Sequence, residues 1–209
     1  MKTKTLLIGA AVFAAGYVNA LALGQRFVDG YNFCSPPLLG ANMSAEAMLA
    51  TSLQQGDSVL IWNDDGYDTY VFFGPGDWLL PDGTTGSGPM LEMGTGFVYA
   101  NGSGGPEDNT YTGTEFPGGS KVLKHSVYTL IGSFRPIAGD AESPAYNLPL
   151  QSGDAILKWT GSGFGTYVFV APGLWVLPDS SIGSAPHIEV GEGFFYANGQ
   201  SVDETWNQP

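Results

Sequence analysis

Carboxylates recur in this chain at a fixed spacing: Asp57 and Asp154, Asp82 and Asp179, and Glu92 and Glu189 each stand 97 residues apart. Two carboxylates brought to one site can divide the acid and base roles of a hydrolysis, one keeping a proton while the other stays ionised. Turn chemistry accounts for the aspartates equally well. Gly56-Asp57, Gly153-Asp154, Pro81-Asp82 and Pro178-Asp179 are turn dipeptides, and the loops around Asp57 and Asp154 lack the Asp-Thr/Ser-Gly pattern of aspartic proteases. Aromatic rings suggest a second chemistry. Trp78 and Trp175 sit in Gly-Asp-Trp and Gly-Leu-Trp loops just before Pro-Asp, so their indoles could stack on a sugar while Asp82 and Asp179 bond its hydroxyls. These four residues are the ligand-binding candidates, with burial in the core as the competing use of the tryptophans.

Other chemistry finds little support. The segment Asn63-Asp64-Asp65-Gly66-Tyr67-Asp68 crowds three carboxylates into six residues, yet its counterpart Thr160-Gly161-Ser162-Gly163-Phe164-Gly165 has no acid. The twelve-residue calcium-loop spacing with a final Glu is missing, so an acidic hairpin tip is expected. His187 aligns with Met90, and His125 lies in a strand-like run beside Lys124, which reads as two ordinary histidines. There is no Gly-x-Ser-x-Gly elbow, phosphate loop, dinucleotide fingerprint or His-Glu-x-x-His. No catalytic residue, metal or cofactor is implied.

The spacing of 97 comes from an internal repeat. Residues 53–102 and 150–199 align without a gap, with 28 of 50 positions identical. Two copies are too few for a solenoid, so the chain reads as two pseudo-symmetric halves. Each copy opens with Gly-Asp and an apolar run. Leu60 and Trp62 match Leu157 and Trp159, whereas Ile61 is replaced by Lys158, which predicts that the Leu/Trp face points inward. A hairpin turn, a Tyr-Val-Phe strand, the Trp loop, an alternating strand at Leu91 and Met93 (Ile188 and Val190), and a Phe-Val/Phe-Tyr-Ala-Asn strand follow. Residues 25–33 read as one first strand, and 121–134 take the same part in the second half. A short strand is expected around Thr110 to Phe116, with Asp203–Gln208 as its equivalent. One helix is predicted, from an N-cap at Ser44 to about Leu53; Pro144 breaks any counterpart. With 31 Gly and 14 Pro between short strands, the expected fold is all-β, sandwich- or barrel-like. The expected division is a signal peptide at 1–20, a first repeat at 21–120 and a second at 121–209.

Residues 1–20 carry the marks of a secretory signal: Lys2 and Lys4, an apolar run from Leu6 to Ala15, and Val18-Asn19-Ala20 as a cleavage site. Export, to the periplasm, the cell surface or beyond, is the expectation. No later stretch approaches the length of a membrane span. Losing Lys2 and Lys4 leaves five basic residues against twenty acidic ones, a net charge of −15. That charge repels phosphate backbones and disfavours nucleic acid and anionic membranes as partners. Cys34 is the only cysteine, which excludes an internal disulfide. A buried apolar role is expected for it.

The order Gly-Asp-x-x-Leu-x-Trp, Tyr-Val-Phe, Trp, Pro, and Ile-x-Val-Gly-Glu-Gly-Phe-Phe, written twice behind a signal with Thr95 and Val98 in the first copy where Glu192 and Phe195 stand in the second, resembles exported tandem-repeat β proteins of the Verrucomicrobia and Planctomycetes type. More distantly, Gly30-Tyr31-Asn32-Phe33 and Tyr128-Thr129-Leu130-Ile131 resemble the Gly-Trp-Asn-Leu-Ile motif of surface-protein modules. The resemblance covers essentially the mature chain and implies export and a β fold without implying an activity. The functional expectation is a secreted, non-catalytic β protein acting on a surface polysaccharide, on another protein or by self-association. A carbohydrate-binding module with two related sites is the alternative, and a carboxylate-dependent hydrolase stands behind it.

Overall fold

The computed structural model describes residues 8–9 and 20–209. Apart from residues 8, 9 and 20, the expected signal segment lies outside the described residues. Two six-stranded antiparallel sheets carry the fold, and their strands follow the same order. The first runs Gly30–Cys34, Phe97–Asn101, Ser58–Trp62, Tyr67–Gly74, Asp77–Leu79, Thr85–Gly86; the second runs Tyr128–Gly132, Gly193–Ala197, Ala155–Trp159, Phe164–Ala171, Leu174–Val176, Ile182–Gly183. A ribbon accompanies each sheet. Leu21–Phe27 pairs with Glu107–Gly113 in the first half, and Gly119–Leu123 with Glu204–Gln208 in the second. Ile8–Gly9 pairs along the other edge of Leu21–Phe27.

The expected single first strand is thus two strands in different layers. The chain leaves the ribbon at Val28-Asp29 and enters the sheet at Gly30, whose φ of 82° suits a residue without Cβ. Asn32 holds this corner: its Oδ1 accepts from the Val28 N–H and its Nδ2 donates to the Val28 carbonyl, both at 2.8 Å. Alternation continues across the corner, so the sequence pattern hides the change of layer. The same split separates Gly119–Leu123 from Tyr128–Gly132. The helix is also shorter than expected, Ala45–Met48, with Ser44 capping it through the Ala47 N–H. Its Glu46 accepts from the Gly76 N–H at 2.9 Å; without any helix, Glu142 does the same for Gly173.

Three apolar layers follow from this arrangement. One core lies between the first ribbon and its sheet, where Phe27, Tyr111, Val59, Phe97 and Trp78 are buried. A second lies between the other ribbon and sheet, around Leu123, Trp206, Ile156, Phe194 and Trp175. The third joins the sheets back to back through Val98, Leu130 and Phe195, flanked by Phe33, Leu60, Trp62 and Leu157. Both faces of each sheet are therefore covered, and the expected reading of Lys158 is corrected. Val59, Ile61 and Ile156 face their own ribbon, as Lys158 does by strand alternation. The lysine is accommodated there because Nζ lies 3.1 Å from Glu192 and donates to the His187 carbonyl.

A buried polar knot repeats in each half. Asp57 accepts from the Gln54 N–H (2.7 Å), the Gly102 N–H (2.9 Å) and the Tyr99 hydroxyl (2.5 Å), while Glu107 accepts from the Gln54 side-chain amide and lies 2.9 Å from the same hydroxyl. Asp154, Tyr196, Gln151 and Glu204 repeat it, except that Glu204 Oε2 has no hydrogen-bond partner. Turn, sheet and ribbon are tied at one point. Burial first, and then the bond to the aspartate, raise both tyrosine pKa values above the ordinary phenol range, so each hydroxyl stays a donor. Replacing Tyr99 by Phe leaves buried acceptors short of a proton; urea unfolding should show a loss of about 1–3 kcal/mol, and an unchanged midpoint would refute the knot. Burial, and next the charge of Asp154, push the Glu204 carboxyl above its usual value, against the lowering effect of Gln151. Stability from this group is complete below the unfolded pKa and is lost as pH rises through the folded one. As pH rises above about 4, the ordinary Glu value, Glu204→Gln should therefore lose less stability than the parent chain.

Candidate functional site

The four ligand candidates do not form a site. Trp78 and Trp175 are both 0% exposed, packed 5.0 Å from Phe72 and 5.2 Å from Phe169. An indole with no free face cannot stack on a sugar, so the tryptophans, which lie in the strands Asp77–Leu79 and Leu174–Val176 and not in loops, serve the cores. Asp82 and Asp179 are exposed but bond their own turns: Asp82 accepts from the Thr84 N–H and hydroxyl (2.9 and 2.7 Å), and Asp179 from those of Ser181 (3.0 and 2.6 Å). Those hydrogen bonds, the side-chain one foremost, hold both carboxyls below the usual range. At the acidic hairpin tip, Asn63 Oδ1 bonds the Asp65 and Gly66 N–H groups, and Asp64 pairs with Lys124 at 2.5 Å. Among the described residues no group of three or more His, Cys, Asp or Glu could hold a metal ion. His125 and His187 are exposed beside Asp203 (2.6 Å) and Asp140 (3.1 Å).

The junction of the halves is where the structure gathers unassigned groups. Its backbone contacts obey a pseudo-twofold axis. Cys34 bridges Glu192 as Ile131 bridges Thr95, and the Ser35 N–H donates to Gly191 O (2.9 Å) as Gly132 donates to Gly94 O (3.3 Å). Such reciprocal contacts define an isologous interface within one chain. The Gly-x-Gly of each copy permits the approach. A Cβ on Gly193 would fall 2.4 Å from Cys34 O, and one on Gly96 3.0 Å from Ile131 O. Met93 packs against the second core and Val190 against the first.

Side chains break this symmetry. The ribbons place Phe27 and Leu123 opposite the repeated glutamates Glu107 and Glu204; counting from there, Gln25 takes the place of Lys121 and Val28 that of Lys124. On one side of the junction, Lys121 bonds Thr95 Oγ1 (2.6 Å), Lys124 pairs with Asp64, and Trp62 Nε1 donates to the Tyr128 carbonyl (2.7 Å). Burial lowers the Lys121 pKa, while Glu92 and Asp64 oppose the shift. That seam is closed. On the other side stand Gln25, Val28 and, where Asp64 would be, Gly161. No ion pair of the Lys124–Asp64 kind can form, and a cleft of about 300 Å3 remains, walled by Tyr31, Phe33 and Trp159 from the two halves. Phe33 lies 5.5 Å from Trp159, and Tyr31 meets its edge at 6.4 Å. Trp159 Nε1, the equivalent of the bonded Trp62 nitrogen, is buried without a partner, as is Gln25 Oε1. Glu192 is held by Lys158 and by the Glu189 N–H (2.9 Å). Cys34 is fully buried at the back.

The sequence carries a trace of this site, in the paired loss of Lys124 to Val28 and Asp64 to Gly161. The gap-free alignment begins at Leu53 and leaves the ribbon strands unmatched, so the first change is not read from it. Comparison with protein-family models, with curated proteins and with solved structures gave no match. No helix among the described residues is long and apolar enough to cross a membrane. The difference between the seams is measurable. Trp62→Phe removes the exposed hydrogen bond to the Tyr128 carbonyl and should cost about 0.5–1 kcal/mol more in urea unfolding than Trp159→Phe, which breaks no hydrogen bond; equal losses would contradict the asymmetry.

Proposed function

We propose that this is an exported, non-catalytic binding protein of the cell exterior, and that its ligand site is the cleft between the two repeats. One observation carries the reading: copies that share strand order, core and backbone junction differ at the seam, where one side is filled by Lys121, Lys124 and Asp64 and the other is left open. Duplication alone would fill both sides or neither. A cleft of this volume stands at the lower end of small-molecule sites, about 300–1,000 Å3, and has the usual make-up of aromatic walls with a few polar groups. Export rests on the signal-like first residues. Expecting two related carbohydrate sites gives way to a single one, because the symmetry-related position is occupied by protein.

The closed seam supplies its own test. Val28→Lys with Gly161→Asp is designed to rebuild the Lys124–Asp64 pair across the open side; a Cβ at Gly161 meets nothing within 4 Å, and although its φ of 98° strains any residue with a Cβ, Asp64 holds a φ of 77° at the equivalent position. The double variant should stay folded with a thermal midpoint lowered by the backbone strain at position 161, and lose retention on the envelope fraction of the producing cells. Full retention by a variant whose cleft is filled would remove the cleft as the site.

A further inference from the structure

We propose that the second sheet carries an interface for another copy of this chain, on the part of its junction face that lies beyond the contact between the halves. The sheets cover each other over their inner strands, through Val98, Leu130, Phe195 and Leu157. The same face then runs outward. Residues paired across a ladder share a side, so Phe164, Thr166 and Val168 stand with Trp159, Leu157 and Ala155, while Val176 and Ile182 stand with Val168. Leu174 joins them, because Trp175 between Leu174 and Val176 points into the ribbon core. Phe164 is 41% exposed, Leu174 39% and Ile182 59%, and Val168 and Val176 are half-buried. Comparison of the copies marks this face out. Where the second half has Phe164, Leu174 and Ile182, the first has Tyr67, Asp77 and Thr85, whereas Thr166, Val168 and Val176 stand against Thr69, Val71 and Leu79. Each of the three unlike pairs removes a hydroxyl or a carboxylate. Strand order does not require the change, since the first sheet has the same order with the polar set. The result is a row of apolar side chains without a charge, on a chain of formal charge −13.

Continuity with the internal junction identifies the occupant. The Phe164 ring lies 5.6 Å from Phe195, a residue of the layer between the sheets, and 5.2 Å from Trp159, so the open face extends a surface that already packs sheet against sheet. A flat strand face matches another sheet, which lies about 10 Å away in such packing, better than it encloses a small molecule. Charge narrows the choice. Net negative proteins repel one another, so association of two copies needs a contact free of carboxylates, and this face has that property. The first half's face does not: Asp77 would be buried there without a cation. Pairing of the second half's face with itself, across a twofold axis, therefore closes at two copies. Three strands about 4.8 Å apart and about 27 Å long give a pair burying on the order of 1,000 Å2 or less, the size of a weak, reversible interface.

Sedimentation velocity of the exported chain, from about 1 µM to about 500 µM, should show a monomer passing reversibly into a dimer, as an interface of this size implies. Raising the salt concentration screens the acidic exteriors and should tighten the dimer. Leu174→Asp with Ile182→Thr gives the second sheet the residues that the first has at Asp77 and Thr85, so the substitutions are ones this strand order accommodates. The double variant should raise the dissociation constant tenfold or more, and Ile182→Thr alone, on the edge strand, should raise it severalfold. Neither variant touches the cleft lining, so the outcome is independent of the cleft's ligand. Monomer at every concentration would overturn the proposal, as would a dimer that both variants leave intact. A monomeric chain that floats with phosphatidylcholine vesicles, and stops doing so in the double variant, would assign the face to lipid and overturn it as well.

Discussion

A six-stranded sheet with apolar residues on both faces needs two covers, and this chain supplies one from each half. The ribbon covers the face that carries Val59 or Ile156; the other copy's sheet covers the face that carries Leu60 or Leu157. Full burial of a large apolar side chain is worth about 1.5–3 kcal/mol, so a half on its own would expose Phe33, Trp62 and Val98, or Leu130 and Phe195, at considerable cost. Duplication is thereby tied to stability. The exchange of Met93 and Val190 between cores strengthens the bond, since each half completes its neighbour's interior.

Such packing needs a fixed distance between ribbon, sheet and second sheet. The polar knots set the first separation: Asp57 and Asp154 sit at the Gly-Asp turns, and the tyrosine hydroxyls reach them from the central strands. Low local polarity makes these bonds rigid and makes each unmade one expensive. The paired glycines at 94, 96, 191 and 193 set the second separation, because a side chain at Gly193 or Gly96 would drive the backbones apart. With both distances fixed by shared residues, the seam between the halves became the place where the copies could diverge without loss of the fold. Lysines and an aspartate close one edge, and a glutamine, a valine and a glycine leave the other open.

The repeat itself, the hairpin at residues 63–66, the presence of a last strand (expected around Thr110 to Phe116 and found three residues earlier, at Glu107–Gly113) with its equivalent Glu204–Gln208, and the Ser44 cap were legible because they depend on neighbours in sequence. Turn dipeptides and period-two alternation report local geometry directly. Lys158 misled for the opposite reason. A lysine in a strand marks the exposed face unless a partner lies across the fold, and Glu192 is such a partner, 34 residues away in sequence and 3.1 Å away in space. The first strand misled because its alternation runs through a layer change, which only the bonds of Asn32 to Val28 declare. Trp78 and Trp175 look like loop residues beside Gly and Pro, yet each is the middle residue of a three-residue sheet strand with its ring fully buried.

By itself the sequence determined that two copies of an all-β unit exist, where most of their turns fall, and that the chain is acidic with signal-like first residues. Those properties reside in composition and in spacings of a few residues. Tertiary structure alone decided that the copies stand back to back, that the repeated aspartates anchor knots and turns, and that Gln25, Tyr31 and Trp159 meet around a cleft. The reason is that the open edge is made by residues from the two halves of the chain, and what remains unfilled between them depends on how two surfaces dock, a quantity that no local pattern encodes.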